Sequence, residues 1–222
     1  MLEYIYPRIC FVCKTNPEAG DGSLCATCND QLEPTQLGDW RADVTCSAGI
    51  DAAYSGWFFK GPLMNLIHSL KYSDCAKFGA VYGSKLGRLF EKEVKSQVDL
   101  ITAVPLHSLK ARERGYNQAE WLARGLSREW GKAVDFRLLK RVRATRTQTL
   151  LDAGERQSNM RAAFRTLKRV DGLRIAVVDD VLTTGSTISE CAVVLKAAGA
   201  SQVIAITCGT PQIEKLRNSE IC

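Results

Sequence analysis

Apolar residues recur along this chain with two alternating periods. After Pro62, Leu63, Leu66, Ile67 and Leu70 return at helical spacing, and the pattern predicts a helix with these residues facing inward and His68 as a partly buried structural residue. Val81, Tyr82, Leu86, Leu89 and Phe90 predict a second helix over 78–94. Ala119, Leu122, Leu126 and Trp130 predict a third over 117–130, and Ile188, Cys191, Ala192 and Leu195 a fourth over 186–198. Between them lie short apolar runs without helical period. DLITAVP (99–105), VDFRLLKRV (134–142), LRIAVVDD (173–180) and SQVIAITC (201–208) each read as a strand. GIDAAYSGWFFK (49–60) reads as an extended leading strand or hairpin punctuated by Gly56 and Gly61, and a short helix is expected to end near Phe164. Strands that are apolar throughout, alternating with amphipathic helices, predict an α/β fold with a mainly parallel sheet covered on both faces.

Composition adds partners and compartment. At 222 residues and 45% hydrophobic the chain can bury one sizeable core with a small module appended. The net charge of +6 is modest, but residues 101–174 hold seventeen basic against seven acidic side chains. A block of that sign suits a phosphate-bearing partner. The N-terminus has Glu3 and Pro7 where a secretion signal needs an apolar run, and no stretch reaches the ~18 apolar residues of a membrane span. A cytoplasmic protein with reduced thiols is expected, in which Cys46, Cys75, Cys191, Cys208 and Cys222 are buried or free.

The other four cysteines have a pattern. Cys10 and Cys13, then Cys25 and Cys28, form two CxxC pairs separated by KTNPEAGDGSL. Two such knuckles place four thiolates around one Zn²⁺, and four cysteines leave no open position for catalysis. The segment has too few apolar residues to fold on its own core, so metal binding would supply its folding free energy. The expected organisation is a four-cysteine zinc module over 1–36, a linker and leading strand over 37–60, an α/β domain over 61–211 and a polar tail over 212–222.

VVDDVLTTGSTIS (177–189) is the most informative stretch. Asp179 and Asp180 end a buried strand, where open parallel sheets gather ligands. Leu182, Thr183, Thr184, Gly185, Ser186 and Thr187 then turn into a helix whose first amides are unpaired and whose dipole favours an anion. Hydroxyl donors and a glycine in that turn make a monophosphate pocket, while the carboxylates suit hydroxyl groups or a hydrated Mg²⁺. Phosphate at one end and vicinal hydroxyls beside it describe a ribose 5-phosphate. Apolar residues ending in two acids also occur in the Walker B strand of nucleotide hydrolases. GLSREWGKA (125–133) cannot supply the partner loop, because five residues separate its glycines and Ala133 replaces the Mg²⁺-binding hydroxyl.

IAVVDDVLTTGST resembles the phosphoribosyl diphosphate signature of type I phosphoribosyltransferases. The resemblance implies that fold, a catalytic or binding role for Asp179 and Asp180 at the ribose hydroxyls, and a 5-phosphate site over Leu182–Thr187. It places a pyrophosphate loop at Pro105, Leu106, His107 and Ser108. Over nearly its whole length the chain is identified as a member of the ComF family, through the cysteine knuckles, LIHSLKY (66–72), VPL with RGYNQA (104–106 and 114–119), and Gln148, Arg156, Asn159, Ala163 and Phe164. Some relatives carry further cysteine pairs, whereas here only Cys46 follows the first four. The family implies a role in natural competence and the use of external DNA, with phosphoribosyl diphosphate, Mg²⁺ and single-stranded DNA as ligands and a ComFA-type ATPase or another DNA-uptake protein as partner. Lys110, Arg112, Arg114, Lys140, Arg141, Arg143, Arg146 and Arg156 are the candidate DNA contacts. Tyr116, Trp121 and Trp130 lie near them and read better as core than as stacking platforms. A working phosphoribosyltransferase on a nucleobase or small amine is the alternative, although arginines crowd the segment that would hold an acceptor.

Overall fold

A computed structural model describes residues 10–15, 24–35, 38–72, 77–142 and 163–212. Strand β6 (Arg174–Val181) buries Ile175, Ala176, Val177 and Val178 completely. A strand apolar on both sides must be covered on both, and β6 accordingly lies inside a sheet. Its neighbours are β7 (Gln202–Thr210) and β2 (Leu100–Ala103); β1 (Ala52–Phe58) lies outside β7 and the short β3 (Ala133–Val134) outside β2, giving five parallel strands in the order β1-β7-β6-β2-β3. Residues 33–35 add to the free edge of β1, with Phe58 N donating to Glu33 O at 2.8 Å and Thr35 N to Gly56 O at 3.0 Å, which shields that edge.

Side chains alternate across a strand. Ala176 and Val178 share a core with helices α2 (Pro62–Tyr72), α3 (Phe78–Leu89) and α5 (Gln118–Trp130), where Leu66, Tyr82, Leu122 and Leu126 are enclosed. Ile175 and Val177 pack with Ile188, Cys191, Ala192 and Leu195 of α6 (Ser186–Ala197). The helical stripes expected from the sequence are thus the buried faces, each enclosed leucine contributing roughly 1.5–3 kcal/mol. α3 and α5 approach closely through glycines. A Cβ on Gly83 would lie 1.9 Å from Leu122 O, and one on Gly125 would lie 2.0 Å from Ala80 O.

Several expectations are corrected. The segment 134–142 is two short strands in different sheets, because Asp135 accepts from Arg137 N at 2.9 Å and turns the chain. β4 (Leu139–Arg141) then pairs antiparallel with β5 (Phe164–Thr166), so Phe164 opens a strand where a helix end was expected. Helix 78–94 stops at Leu89, and its remainder is turn. Two further helices, α1 (Ala26–Asp30) and α4 (Ser108–Arg114), were not predicted, being too short to show a period. His68 is exposed, since it falls on the outward side of α2. Cys46 is disulfide-bonded where a buried or free thiol was expected, whereas Cys191 and Cys208 are buried free thiols as expected. No helix among the described residues is long and apolar enough to cross a membrane.

The cysteine segment is not separate from this core. Cys10, Leu24, Cys28 and Leu32 are buried in the cluster that contains α2 and α3. Phe11 meets Phe78 edge-on at 5.2 Å, and Lys85 Nζ donates to Asn29 Oδ1 at 2.5 Å.

Candidate functional site

From the carboxyl end of β2 the chain moves toward β3, and from that of β6 toward β7, in opposite directions across the sheet. Such a reversal opens a crevice between the two strand ends, where α/β sheets take ligands. Val104 N donates to Val178 O at 2.9 Å, so the segment beginning at Pro105 leaves the sheet beside Asp179, while β6 runs on against β7 to Val181.

Alternation divides the two aspartates. Asp180 follows Ala176 and Val178 toward α2 and α5 and is only 6% exposed. Its Oδ2 accepts from Lys71 Nζ at 2.6 Å and from Gln118 Nε2 at 3.2 Å. Arg114 Nη1 donates to Gln118 Oε1 at 2.7 Å, which leaves the amide nitrogen to face the carboxylate. A carboxylate stranded at this depth without a partner costs about 3–5 kcal/mol, and Lys71 is the partner here. Asp179 lies on the side of Ile175 and Val177, half-buried, with Oδ1 accepting from Asp180 N at 2.8 Å. Burial, and then the neighbouring Asp180 carboxylate, push Asp179 up to about 8. Asp179 thus holds its proton well above the usual carboxylate range, beside the Asp180–Lys71 ion pair. Beyond the contact of the two carboxyls with each other, no hydrogen bond or ion pair among the described residues takes Asp180 Oδ1 or Asp179 Oδ2, which leaves two carboxyl oxygens to meet hydroxyl groups, the first as an acceptor and the second, when protonated, as a donor.

The following loop is held from below. Leu182 N donates to Gly209 O at 2.8 Å and Thr210 Oγ1 to Leu182 O at 3.0 Å. Thr184 Oγ1 meets Ser186 Oγ at 3.1 Å, Thr183 is exposed, and Thr187 stands in the first turn of α6. Gly185, at φ 82°, has no side chain to cap that turn, and its first amide, Ser186 N, donates to Thr184 Oγ1 at 3.3 Å. The helix dipole and the hydroxyls of Thr183, Thr184, Ser186 and Thr187 suit an anion there. The sequence assigns Gly185 to close approach by phosphate; the structure adds a second reason. A Cβ on Gly185 would lie 2.4 Å from Cys46 O, and Cys46 N donates to Thr184 O at 2.8 Å, so residues 44–46 strap the loop.

RGYNQ joins the two strand ends. Gly115, at φ 74°, ends α4. Asn117 caps α5 by accepting from Ala119 N at 3.1 Å, and its Nδ2 donates to Val104 O at 3.0 Å. His107 caps α4, its Nδ1 accepting from Leu109 N at 3.3 Å. Of the pyrophosphate-loop candidates, Leu106, His107 and Ser108 carry amide donors and Pro105 carries none. Lys71 and Gln118 are functional candidates that the sequence did not assign, although each lies within a segment, LIHSLKY or RGYNQA, that marks the family.

Lys110, Arg112 and Lys140 are exposed, whereas Arg114 is half-buried on Gln118. Arg141 lies 5.2 Å over the Phe164 ring and near Glu190, a carboxyl that burial pushes up to about 7 while Arg141 draws it back. Arg143, Arg146 and Arg156 lie outside the described residues. Trp130 is buried, and half-buried Trp121 lies beneath Arg124 at 5.0 Å, so both serve packing.

The sulfurs of Cys10, Cys13, Cys25 and Cys28 all lie within 4.8 Å of one another, with Cys13 and Cys25 at 3.7 Å. Tetrahedral coordination at a metal–sulfur distance of about 2.3 Å sets sulfurs roughly 3.8 Å apart, so this cluster could hold a metal ion such as zinc. Cys28 N donates to Cys25 Sγ at 3.4 Å, the amide contact of a metal knuckle. Hydrogen bonds from Thr15 hold Cys13 down at about 6, favouring the thiolate.

No family model matches the chain. It is 31% identical over 224 residues to the DNA utilization protein YhgH of Salmonella typhimurium, covering 89% of this chain and 94% of the relative. Competence protein F of Haemophilus influenzae is 38% identical over 109 residues, 47% of each chain. Among solved structures, the glutamine phosphoribosylpyrophosphate amidotransferase from B. subtilis, complexed with ADP and GMP, is 24% identical with a TM-score of 0.39, over 57% of this chain and 26% of its own.

Proposed function

The chain belongs to the ComF family of competence and DNA-utilisation proteins, and from that premise we propose that it binds phosphoribosyl diphosphate with Mg²⁺ between β2 and β6 and single-stranded DNA along its basic block, in the cytoplasm. What carries this proposal is the geometry at the sheet's end: two carboxyl groups, each with an oxygen that no other side chain among the described residues takes, beside a hydroxyl-lined helix start, where the connections reverse. The 5-phosphate would take the amides and hydroxyls of Thr183–Thr187, the ribose hydroxyls Asp179 and Asp180, and the diphosphate the amides of Leu106–Ser108, with Mg²⁺ carried by the diphosphate itself. Exposed Lys110, Arg112 and Lys140 support the DNA part, releasing counterions from a phosphate backbone. Cys10, Cys13, Cys25 and Cys28 would hold a structural Zn²⁺. A ComFA-type ATPase or another DNA-uptake protein is the expected macromolecular partner.

The test is a set of binding titrations with the full-length protein. Affinity for single-stranded oligonucleotides should fall steeply with salt and should drop when Arg141, Arg143 and Arg146 are neutralised together. Phosphoribosyl diphosphate should bind in a manner dependent on Asp179 and Asp180. Salt-insensitive oligonucleotide binding would overturn the DNA assignment. Pyrophosphate release that depends on one nucleobase would establish the alternative, a working transferase.

A further inference from the structure

The acid pair stands at the crevice with a cation of its own. Lys71 reaches Asp180 Oδ2 at 2.6 Å from the last turn of α2, and that oxygen also accepts from Gln118, which Arg114 orients. The lysine is held in place from several sides. The carboxyl end of a helix favours a positive side chain in its last turn. The lysine side chain is 28% exposed, and its partner is the most enclosed carboxylate at this end of the sheet. A divalent ion needs several oxygen ligands with their negative charge uncompensated. Here one carboxylate is already neutralised, and the oxygen nearest the lysine has two donors. A hydroxyl group asks for less. It needs one hydrogen-bonding partner, and Asp180 Oδ1 and Asp179 Oδ2 are each placed to be one.

We infer that Lys71 is a specificity-determining residue: a resident counter-cation that commits the acid pair to an uncharged vicinal diol and excludes a divalent metal ion from it. This rests on the sugar-phosphate reading of the site and deepens it. Mg²⁺ does not fit the acid pair of this chain, and any that enters is chelated by the diphosphate end of the ligand. The segment LIHSLKY then acquires a chemical purpose, since its lysine sets what the distant aspartates accept.

Mn²⁺ alone, titrated into the full-length protein and followed by electron paramagnetic resonance, tests this without sugar phosphate. Wild type should show no Asp180-dependent Mn²⁺ binding below millimolar concentration, so Asp180→Asn should leave the titration unchanged. Lys71→Met should bind Mn²⁺ at least tenfold more tightly, and adding Asp180→Asn to it should abolish the gain. Lys71→Arg, which keeps the charge, should behave as wild type. Submillimolar, Asp180-dependent Mn²⁺ binding by wild type would overturn the inference whether or not Lys71→Met folds, and so would a folded Lys71→Met without the gain. In a second arm, ribose 5-phosphate should bind wild type at least tenfold more tightly than 2-deoxyribose 5-phosphate. If neither sugar binds, the sugar-phosphate reading fails while the metal arm still reports on Lys71. If both bind equally, the diol assignment fails.

Discussion

The cysteine cluster and the crevice are two sites assembled in opposite ways. Cys10, Cys13, Cys25 and Cys28 come from one short segment, and their spacing alone gathers four sulfurs within 4.8 Å. The crevice draws on four elements distant in sequence: Asp180 from β6, Lys71 from α2, Gln118 from α5 and Arg114 from α4. A local site can be specified by its own chemistry and then be packed onto the protein. A dispersed site is specified only when the whole sheet and its helices are in register, so its charge balance depends on the fold. The two meet in one core, since Cys10 and Cys28 share a hydrophobic cluster with Leu66 and Leu70 of the helix that carries Lys71.

The largest expected effect breaks the local site. Replacing Cys28 with Ser should abolish metal binding and, because Leu24 and Leu32 lose their anchor in the shared core, destabilise the protein by at least about 4 kcal/mol. Elemental analysis and thermal melting would check this; an unchanged melting temperature would show that the cluster is an independent appendage. Next, Gly185→Ala meets both a left-handed φ and the Cys46 carbonyl, so a loss of about 2 kcal/mol is expected together with at least tenfold weaker ribose 5-phosphate binding. A neutral substitution would remove the strap at 44–46 from the account.

Asp179→Asn tests the raised Asp179 carboxyl through pH. Because the folded protein raises this carboxyl from 3.8 to about 8, it holds a proton that the unfolded chain has released across that interval. The stabilisation is complete below about pH 4 and is lost as pH rises through 8. Asparagine lacks this dependence, so the variant should gain melting temperature relative to wild type between pH 5 and 9. A constant difference over that range would contradict the protonated Asp179. The smallest effect is expected for Arg114→Ala, which frees Gln118 to turn. About 1 kcal/mol of stability and a severalfold loss of ribose 5-phosphate affinity should follow, with no change in metal content.

The contiguous features were legible in the sequence. Four helical stripes and the β6 and β7 runs appear because burial on one or both faces imposes a period. Asp179, Asp180 and the loop through Thr187 were legible because strand end, turn and helix start lie within one window. Lys71 and Gln118 were not, since a charge pair between α2 and β6 leaves no periodic or local trace in either segment. The break at Asp135 and the seven-residue α4 escaped for a related reason: one side-chain turn, or two helical turns, is shorter than the window over which a period shows itself. Gly79, Gly83 and Gly87, to which the sequence pattern assigned no role, mark the face on which α3 meets α5.

Calorimetric titration of ribose 5-phosphate into the full-length protein tests the central claim most directly, with Asp179→Asn/Asp180→Asn as the comparison. One molecule should bind per chain, and the double variant, folded by circular dichroism, should bind at least tenfold more weakly. Absence of binding by wild type, or equal affinity in the two proteins, would contradict the assignment of the crevice to a phosphorylated ribose.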